Sequence, residues 1–346
     1  MFRRSRVLAA TLLAAVLVTA SACSSSDDSK SSGTTGSSGG SGALKKVTYV
    51  TAFGAVGRDS FAWVAKEKGY FKDAGLDVTI QKGAGNAQIL GLIKAKQADF
   101  AALDFTGAEI QSGKGTFTNW RAIAAVHQQT LVSIMTTADT GITKPTDLSG
   151  KTVGTATGSV SELLFPAYAK LAGLDPKSVK VQGAQTTALN SLMAQRKVDG
   201  LSTFLLSKKA LETASKKQVV VMPYSEYLAD LFGNAIIARD DVIASDKDEV
   251  QKFTDAIMKG LQYTIDHPDE AAQIMNKDEP TAAIPAAVGE INAMKPYVSP
   301  PNGAPLGHMD QERVARSIAV LQGNGLIPAG LTPDKVVDFS LIKASN

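Results

Sequence analysis

The loop from Thr155 to Glu162 has the composition of an anion-binding turn. It is rich in small residues and leads into a helical pattern, so backbone N–H groups at Thr157, Gly158 and Ser159 could receive a carboxylate, sulfonate or nitrate. Ser159 and Glu162 also have the spacing of a capping box, which would use the loop without any ligand. We predict ligand contact at this loop and keep capping as the alternative.

Three aromatic residues, Phe53, Phe105 and Phe204, lie in or beside other loops that follow apolar strand patterns. Aromatic faces flanking a cleft would suit a planar heterocycle such as a pyrimidine, and core packing is the alternative for each ring. Arg58 lies in the same loop as Phe53 and could pair with an anion through two hydrogen bonds. The alternative for Arg58 is a solvated loop residue.

Asp104 follows a buried strand pattern and could accept a hydrogen bond from an amine or a ring N–H of a ligand. Its alternative role is to cap the helix predicted to begin near Gly107, and we slightly favour the cap. Asn86 and Gln88 are candidates for either role. Asp104 and Asn86 complete the predicted ligand site.

Catalytic and metal-binding patterns are absent from the sequence. The three histidines, His127, His267 and His308, lie far apart, and none belongs to a metal-binding spacing. Neither a G-x-S-x-G motif nor a P-loop occurs. Cys23 is the single cysteine, which excludes internal disulfides and a cysteine-based metal cage. We therefore predict no catalytic residue, no metal site and no cofactor.

The candidate loops are positioned by short β-branched strand patterns that alternate with helical patterns, which is typical of βαβ units. The first copy of this pattern is predicted as strands 47–51, 78–81 and 100–103 with helices 61–72 and 87–96. The second copy is predicted as strands 152–155, 179–182 and 200–204 with helices 161–171 and 187–196. Ligands of open α/β sheets bind beyond the carboxyl ends of the strands, which selects the candidate loops.

Two short strings repeat at the same place in each copy. Residues 74–77 (AGLD) return as residues 172–175 (AGLD), and residues 97–100 (QADF) return as residues 197–200 (KVDG). Gly75 and Gly173 are each predicted to end a helix, where glycine is favoured. The repeat predicts two similar α/β lobes.

Two apolar runs, 123–136 and 233–238, could each connect one lobe to the other. Two such crossings would make a hinge. After residue 246 the pattern is helical, with Val250, Phe253, Ile257 and Leu261 on one face. We expect this C-terminal segment to pack on lobe one.

The first 22 residues have the organisation of a signal peptide. Arg3, Arg4 and Arg6 precede an apolar run over 7–20, which is shorter than the roughly 20 residues of a membrane-spanning helix. Residues 20–23 (ASAC) resemble a bacterial lipobox, with alanine at position 20 where leucine is usual. We predict cleavage before Cys23 and lipidation of Cys23, with free secretion as the alternative.

The exported form is predicted to have a flexible tether and a neutral charge. Residues 24–42 are almost entirely serine, glycine, threonine and aspartate, and such a coil spans on the order of 25 Å. The chain has 36 lysines and arginines against 33 aspartates and glutamates, and the three arginines of the signal peptide account for the difference. This balance excludes electrostatic binding of nucleic acid.

Several strings after the tether together resemble the NMT1/THI5-like and aliphatic-sulfonate-binding receptors of ABC transporters. They are residues 65–71 (AKEKGYF), 74–78 (AGLDV), 98–101 (ADFA), 144–151 (KPTDLSGK) and 171–175 (LAGLD). The resemblance implies a periplasmic-binding-protein-like type II fold, in which two α/β lobes joined by a two-strand hinge close over a small molecule. It also implies docking on an ABC permease. Thiamine pyrimidine precursors, sulfonates, taurine and nitrate are the ligands that it implies.

We accordingly expect a signal peptide over 1–22, a lipidated Cys23 with its tether over 23–43, lobe one over 44–132 and 234–346, and lobe two over 133–233. The expected protein is a monomer on the outer face of the cell membrane, with a small-molecule ligand and a permease as partners. A solute-sensing subunit of a signalling system is the alternative. Fungal relatives make the thiamine pyrimidine with a histidine and a cysteine-rich motif, and this chain lacks that motif.

Overall fold

The computed structural model describes residues 43–343, except for the side chain of Asn302. The predicted signal peptide, the predicted lipidation site Cys23 and the tether up to residue 42 lie outside the described residues.

Ten strands alternate with helices along residues 43–343. The strands are β1 (Lys45–Val50), β2 (Leu76–Gln81), β3 (Phe100–Asp104), β4 (Trp120–Ala125), β5 (Val132–Thr137), β6 (Thr152–Ala156), β7 (Lys180–Ala184), β8 (Gly200–Phe204), β9 (Val219–Pro223) and β10 (Asn234–Arg239). The α-helices are α1 (Phe61–Glu67), α2 (Tyr70–Asp73), α3 (Asn86–Lys94), α4 (Phe105–Gly113), α5 (Val160–Leu171), α6 (Leu189–Ala194), α7 (Lys208–Ser215), α8 (Asp240–Ser245), α9 (Lys247–Asp266), α10 (Pro268–Asp278), α11 (Ile284–Met294) and α12 (Gln311–Gly323).

The strands form two five-stranded sheets with the same plan. Sheet one has the order β2-β1-β3-β10-β4, and sheet two has the order β7-β6-β8-β5-β9. In each sheet the three strands of one repeat run parallel, and the fourth strand is antiparallel to both of its neighbours. That fourth strand, β10 or β5, directly follows a connection from the other sheet. The predicted fold of two similar α/β lobes with two connections is confirmed.

The repeat is visible in individual hydrogen bonds. Asp99 Oδ2 accepts the backbone N–H of Thr48 at 2.8 Å, and Asp199 Oδ2 accepts that of Thr152 at 2.8 Å. In both copies the aspartate therefore ties the loop before the third strand to the first strand. The ADF and VDG strings therefore have the same structural role in each lobe.

A glycine ends the first helical segment of each copy. Gly75 and Gly173 have φ angles of 81° and 75°, the left-handed conformation that terminates a helix, as predicted. The prediction of one continuous helix over 61–72 is wrong. Gly69, with a φ angle of 78°, separates α1 from α2 because a left-handed residue cannot continue an α-helix.

The connections between the sheets do not coincide with the apolar runs predicted for them. The run 123–136 consists of the end of β4, a connection over 126–131, and most of β5. The run 233–238 is mostly β10, and the return connection covers 224–233. These runs are apolar because β4, β5 and β10 are buried. The limits of the two lobes, 44–132 with 234–346 and 133–233, stay a prediction.

The predicted C-terminal helix is α9, and it packs against sheet one. Val250, Phe253, Ile257 and Leu261, the predicted apolar face, are all fully buried. The Phe253 ring stacks on Phe100 of β3 with ring centroids 3.8 Å apart. Full burial of each such side chain contributes about 1.5–3 kcal/mol, so this face fastens the C-terminal segment to lobe one.

Candidate functional site

A cleft with an empty volume of about 470 Å³ lies beyond the carboxyl ends of β1, β2 and β3. Both connections and the end of β8 complete its walls. The lining residues are Ala52, Phe53, Arg58, Gly85, Asn86, Asp104, His127, Leu131, Phe204, Leu206, Gly233 and Asn234. Five of the nine predicted ligand residues are therefore brought together: Phe53, Arg58, Asn86, Asp104 and Phe204.

The loop after β1 is held by the buried carboxylate of Asp59. Its oxygens accept the backbone N–H groups of Ala52 and Phe53, each at 3.1 Å. Burial raises the pKa of Asp59 to about 6 because the charged form is poorly solvated. The Phe53 ring is 44% exposed, and Phe204 is half-buried at the end of β8. A fixed loop thus presents an accessible aromatic face to the cleft.

Arg58 faces a neighbouring carboxylate. Its guanidinium lies 3.8 Å from a carboxylate oxygen of Glu290, and its backbone N–H donates to the same oxygen at 3.3 Å. The guanidinium also lies 5.6 Å from the centre of the Phe53 ring. The positive charge at this wall of the cleft is therefore balanced from within the protein.

Asp104 fills the capping role and keeps one oxygen at the cleft. Oδ1 accepts the N–H of Gly107 at 2.7 Å and so caps α4, whereas Oδ2 is buried without a hydrogen-bond partner among residues 43–343. Burial raises the pKa of this carboxyl to about 7. The Asn86 side chain brackets the Asp104 peptide, donating to its carbonyl at 2.7 Å and accepting its N–H at 3.1 Å. Asn86 thus fixes the position of Asp104.

His127 lines the cleft but was not among the predicted site residues. It lies just after β4 in the first connection and is 1% exposed. Nδ1 accepts the N–H of Asn234 at 3.3 Å, while Nε2 has no partner in the described part of the chain. Burial, and then the charge of Arg58, lower the pKa of His127 to about 3, so the ring is neutral. Its position in a run predicted to join the lobes is the one signal that could have identified it.

The two connections touch beside His127. A Cβ atom on Gly233 would lie 2.8 Å from the carbonyl oxygen of Gln129 and 2.8 Å from the Cβ of His127. Only glycine fits at this crossing point. Leu131 and Asn234 line the cleft from the same pair of segments.

Phe105 and the loop over 155–162 lie apart from the cleft lining. Phe105 is fully buried and packs edge-to-face on Trp120 and Phe232, with centroid distances of 6.3 and 5.9 Å. This is the core packing that was its alternative. Sequence alone does not separate these roles, because an aromatic residue at the end of a strand can point to either side.

The loop over 155–162 is closed by its own hydrogen bonds. Ser159 Oγ accepts the N–H of Glu162 at 3.3 Å, and the Glu162 carboxylate accepts the N–H of Gly158 at 2.5 Å. Thr157 and Gly158 are exposed. The capping alternative is therefore present, and the Gly158 N–H is already occupied in this conformation.

A metal-binding cluster and a membrane-spanning helix are both absent from residues 43–343. That segment contains no group of three or more His, Cys, Asp or Glu side chains that could hold a metal ion. Its helices include none with the length and apolar character needed to cross a membrane.

Comparison with known proteins places the chain among binding proteins. The formylaminopyrimidine-binding protein of Halalkalibacterium halodurans is 24% identical over 258 residues, which are 73% of this chain and 77% of that protein. The riboflavin-binding protein RibY of Chloroflexus aurantiacus is 22% identical over 224 residues, or 64% of this chain and 63% of that protein. The crystal structure of the periplasmic aliphatic sulphonate binding protein SsuA from Escherichia coli superposes with a TM-score of 0.68 at 14% identity, covering 87% of this chain and 93% of that one.

A family model described as NMT1/THI5 like matches residues 60–271 of the chain. The match begins just before α1, covers all of sheet two, and ends within α10. It therefore includes more than half of the sequence and both connections. With the fold shared with a solved periplasmic binding protein, this match confirms the predicted resemblance, and the chain belongs to the NMT1/THI5-like family.

Proposed function

We propose that this protein is an extracytoplasmic solute-binding receptor that delivers a small organic molecule to an ABC permease. The observation that supports this most directly is the cleft between two similar lobes, where strand ends, both connections and an exposed aromatic ring meet. Such a cleft at the carboxyl ends of strands is where open α/β sheets bind ligands. Its curated relatives are named for binding functions, and we propose no catalytic role for this chain.

A planar heterocycle is the ligand class that we favour. Two curated relatives are named for a formylaminopyrimidine and for riboflavin, both of which contain flat nitrogen rings. Phe53 and Phe204 could stack on such a ring from the walls of the cleft. An aliphatic sulfonate, taurine or nitrate is the second class, supported by the fold shared with SsuA and by Arg58.

The proposed mechanism uses the two connections as a hinge. A ligand that contacts both lobes stabilises the closed population by its higher affinity for that state. A permease that recognises closed lobes would then receive only loaded receptors. Phe204 and Leu206 on one side and Phe53 and Asp104 on the other are the residues that a bridging ligand would contact first.

We also propose that the receptor is exported and anchored. The sequence supports a signal peptide over 1–22, a lipidated Cys23 and a Ser/Gly tether that ends where β1 begins. A lipid anchor and a monomeric state would keep a single clamp within reach of a membrane permease.

A thermal-shift panel tests the receptor function. Formylaminopyrimidine, riboflavin, ethanesulfonate, taurine and nitrate are added separately to the purified protein. A true ligand at 100 times its dissociation constant adds about 2.7 kcal/mol to stability and raises Tm. Phe53→Ala should reduce the shift, whereas Leu171→Ala, another exposed apolar residue outside the cleft lining, should not. No shift with any compound, or an unchanged shift in Phe53→Ala, would count against the proposal.

A further inference from the structure

Two buried polar atoms at the cleft have no hydrogen-bond partner within residues 43–343. They are Oδ2 of Asp104, which is 7% exposed, and Nε2 of His127, which is 1% exposed. Both residues line the same cleft. Folded proteins pair nearly all of their buried polar atoms, so two unpaired atoms in one cleft indicate that something else completes them.

Each side chain is held in place by a hydrogen bond that a backbone N–H donates to its other polar atom. Asp104 Oδ1 accepts the Gly107 N–H, and Asn86 holds the Asp104 peptide on both sides. His127 Nδ1 accepts the Asn234 N–H. The free oxygen and the free nitrogen therefore have fixed positions before any ligand arrives, which lowers the entropic cost of binding.

The hydrogen bond to Nδ1 decides the chemistry of the free nitrogen. A nitrogen that accepts an N–H carries no proton, so the neutral His127 ring holds its proton on Nε2. Nε2 is then a donor, whereas the free carboxylate oxygen of Asp104 is an acceptor. Together they would match a ligand that offers one acceptor and one donor.

The charges around the cleft decide between the two ligand classes. Asp104 is acidic and has no cationic partner among the described residues, and Arg58 is balanced by Glu290. Above about pH 7, where the Asp104 carboxyl is ionised, a sulfonate or nitrate beside Oδ2 would meet an acceptor and a like charge. An amino group on a neutral ring would meet an acceptor that it can satisfy.

We propose that Asp104 and His127 select a neutral nitrogen heterocycle, with its exocyclic amino group donating to Asp104 Oδ2 and a ring nitrogen accepting the His127 Nε2 proton. This rests on the proposed receptor function and narrows it, because sulfonates and nitrate are then excluded as ligands. Phe53 and Phe204 would stack on the planar ring, and Asp104 and His127 would distinguish a neutral heterocycle from an anion.

Calorimetric titration of the purified protein with three probes tests the selection. 4-Amino-2-methylpyrimidine has both groups, 2,4-dimethylpyrimidine replaces the amino donor by a methyl group, and ethanesulfonate represents the anions. The wild-type protein should bind the aminopyrimidine about 10- to 100-fold more tightly than the dimethyl compound, because a buried carboxylate is left unpaired in the second complex. Ethanesulfonate should bind more weakly than either pyrimidine.

Variants of similar shape test whether Asp104 and His127 are responsible for the preference for the aminopyrimidine. Asp104→Asn keeps an oxygen to cap α4 but places an amide NH₂ at the free position, and it should abolish the discrimination between the pyrimidines. His127→Asn keeps an acceptor for the Asn234 N–H but removes the Nε2 donor, and it should weaken both pyrimidines by about tenfold. His127→Gln restores a donor near the Nε2 position and should recover part of the affinity.

Glu109→Gln is the matched control, because Glu109 is an equally buried carboxyl on α4 that does not line the cleft. It should bind all three probes as the wild type does. Discrimination between the pyrimidines that persists in Asp104→Asn, affinities for both pyrimidines that stay unchanged in His127→Asn, or preference of the wild type for ethanesulfonate would overturn this inference and leave the receptor function intact. If neither these probes nor the thermal-shift compounds bind, the receptor function itself is overturned.

Discussion

Glu109 shows how one buried side chain links stability to pH. It is fully buried between α4 and α12, where Oε2 accepts the hydroxyl of Ser317 at 2.7 Å and Oε1 has no partner within the described chain. Burial raises the pKa of Glu109 from 4.5 to about 8, and the nearby charge of Asp104 adds to the rise. The folded protein therefore holds this proton more tightly than the unfolded chain does.

The free energy of unfolding should consequently fall as the pH rises. The stabilisation from Glu109 is complete below about pH 4.5 and is lost as the pH passes through about 8. We predict that Glu109→Gln, which is neutral at every pH, reduces this fall by on the order of 3 kcal/mol between about pH 5 and pH 9. Urea unfolding at a series of pH values measures the difference.

Glu312→Gln is the control for this experiment, because Glu312 is exposed at the start of α12. It should leave the pH dependence of unfolding unchanged. Asp104 and Asp59 also have raised pKa values, so part of the fall should remain in Glu109→Gln. Equal slopes in Glu109→Gln and the wild type would refute the role given to Glu109.

At the scale of elements, α12 holds both connections through Arg313. The guanidinium donates to the backbone carbonyl of Gln128 in one connection and to that of Ala229 in the other, at 3.1 Å for Ala229. It also lies 4.0 Å from the centre of the Phe232 ring. A single side chain therefore fastens the two hinge segments to the same helix.

Removal of this contact should destabilise the protein. We predict that Arg313→Ala lowers the free energy of unfolding by about 2–3 kcal/mol, because two carbonyls lose a charged donor. Arg316→Ala, on the same helix, removes an exposed ion pair with Asp230 and should cost about 0.5 kcal/mol. Urea denaturation at constant m-value compares them, and similar losses in both variants would contradict the hinge contact.

Most elements could be predicted from the sequence because each depends on local pattern. The strand and helix order of both copies, the helix-ending Gly75 and Gly173, and the buried face of α9 follow from periodicity and glycine alone. The break at Gly69 was not predicted, because the sequence does not show which φ angle a glycine inside a helical pattern adopts. The first connection lies within its predicted run, and the second precedes its predicted run, because a buried strand and an apolar connection have the same composition.

The cleft was predictable only in part, because its residues meet through long-range contacts. Phe53, Asp104 and Phe204 lie at or just after the carboxyl ends of strands that meet in space, so a topological rule locates them. His127 also lies just after the carboxyl end of a strand, β4, which runs parallel to β3, but the sequence pattern predicted that stretch as a connection. Its importance depends on the Asn234 N–H more than 100 positions away. Phe105 packs in the core, which was the alternative to ligand contact, because its side chain points inward.

At the scale of the whole molecule, the anchor should determine location without affecting recognition. We predict that Cys23→Ser moves the protein from the membrane fraction to the soluble fraction of cells that express it. The cleft begins at Ala52, well beyond the tether, so affinity for formylaminopyrimidine should stay the same. Fractionation and titration measure the two effects, with Ser24→Ala as the control that should remain anchored. Retention of Cys23→Ser in the membrane fraction would contradict lipidation.

The place of β10 in sheet one also sets an order of assembly during synthesis. β10 lies between β3 and β4, yet it is made after every strand of sheet two. A chain synthesised from its N-terminus can complete sheet two once β9 has been made. Sheet one cannot be completed at that stage, because β10, which joins β3 to β4, has not yet been made. For a receptor that is exported as proposed, this delay keeps the first lobe incomplete until β10 has been translated, which ends at residue 239.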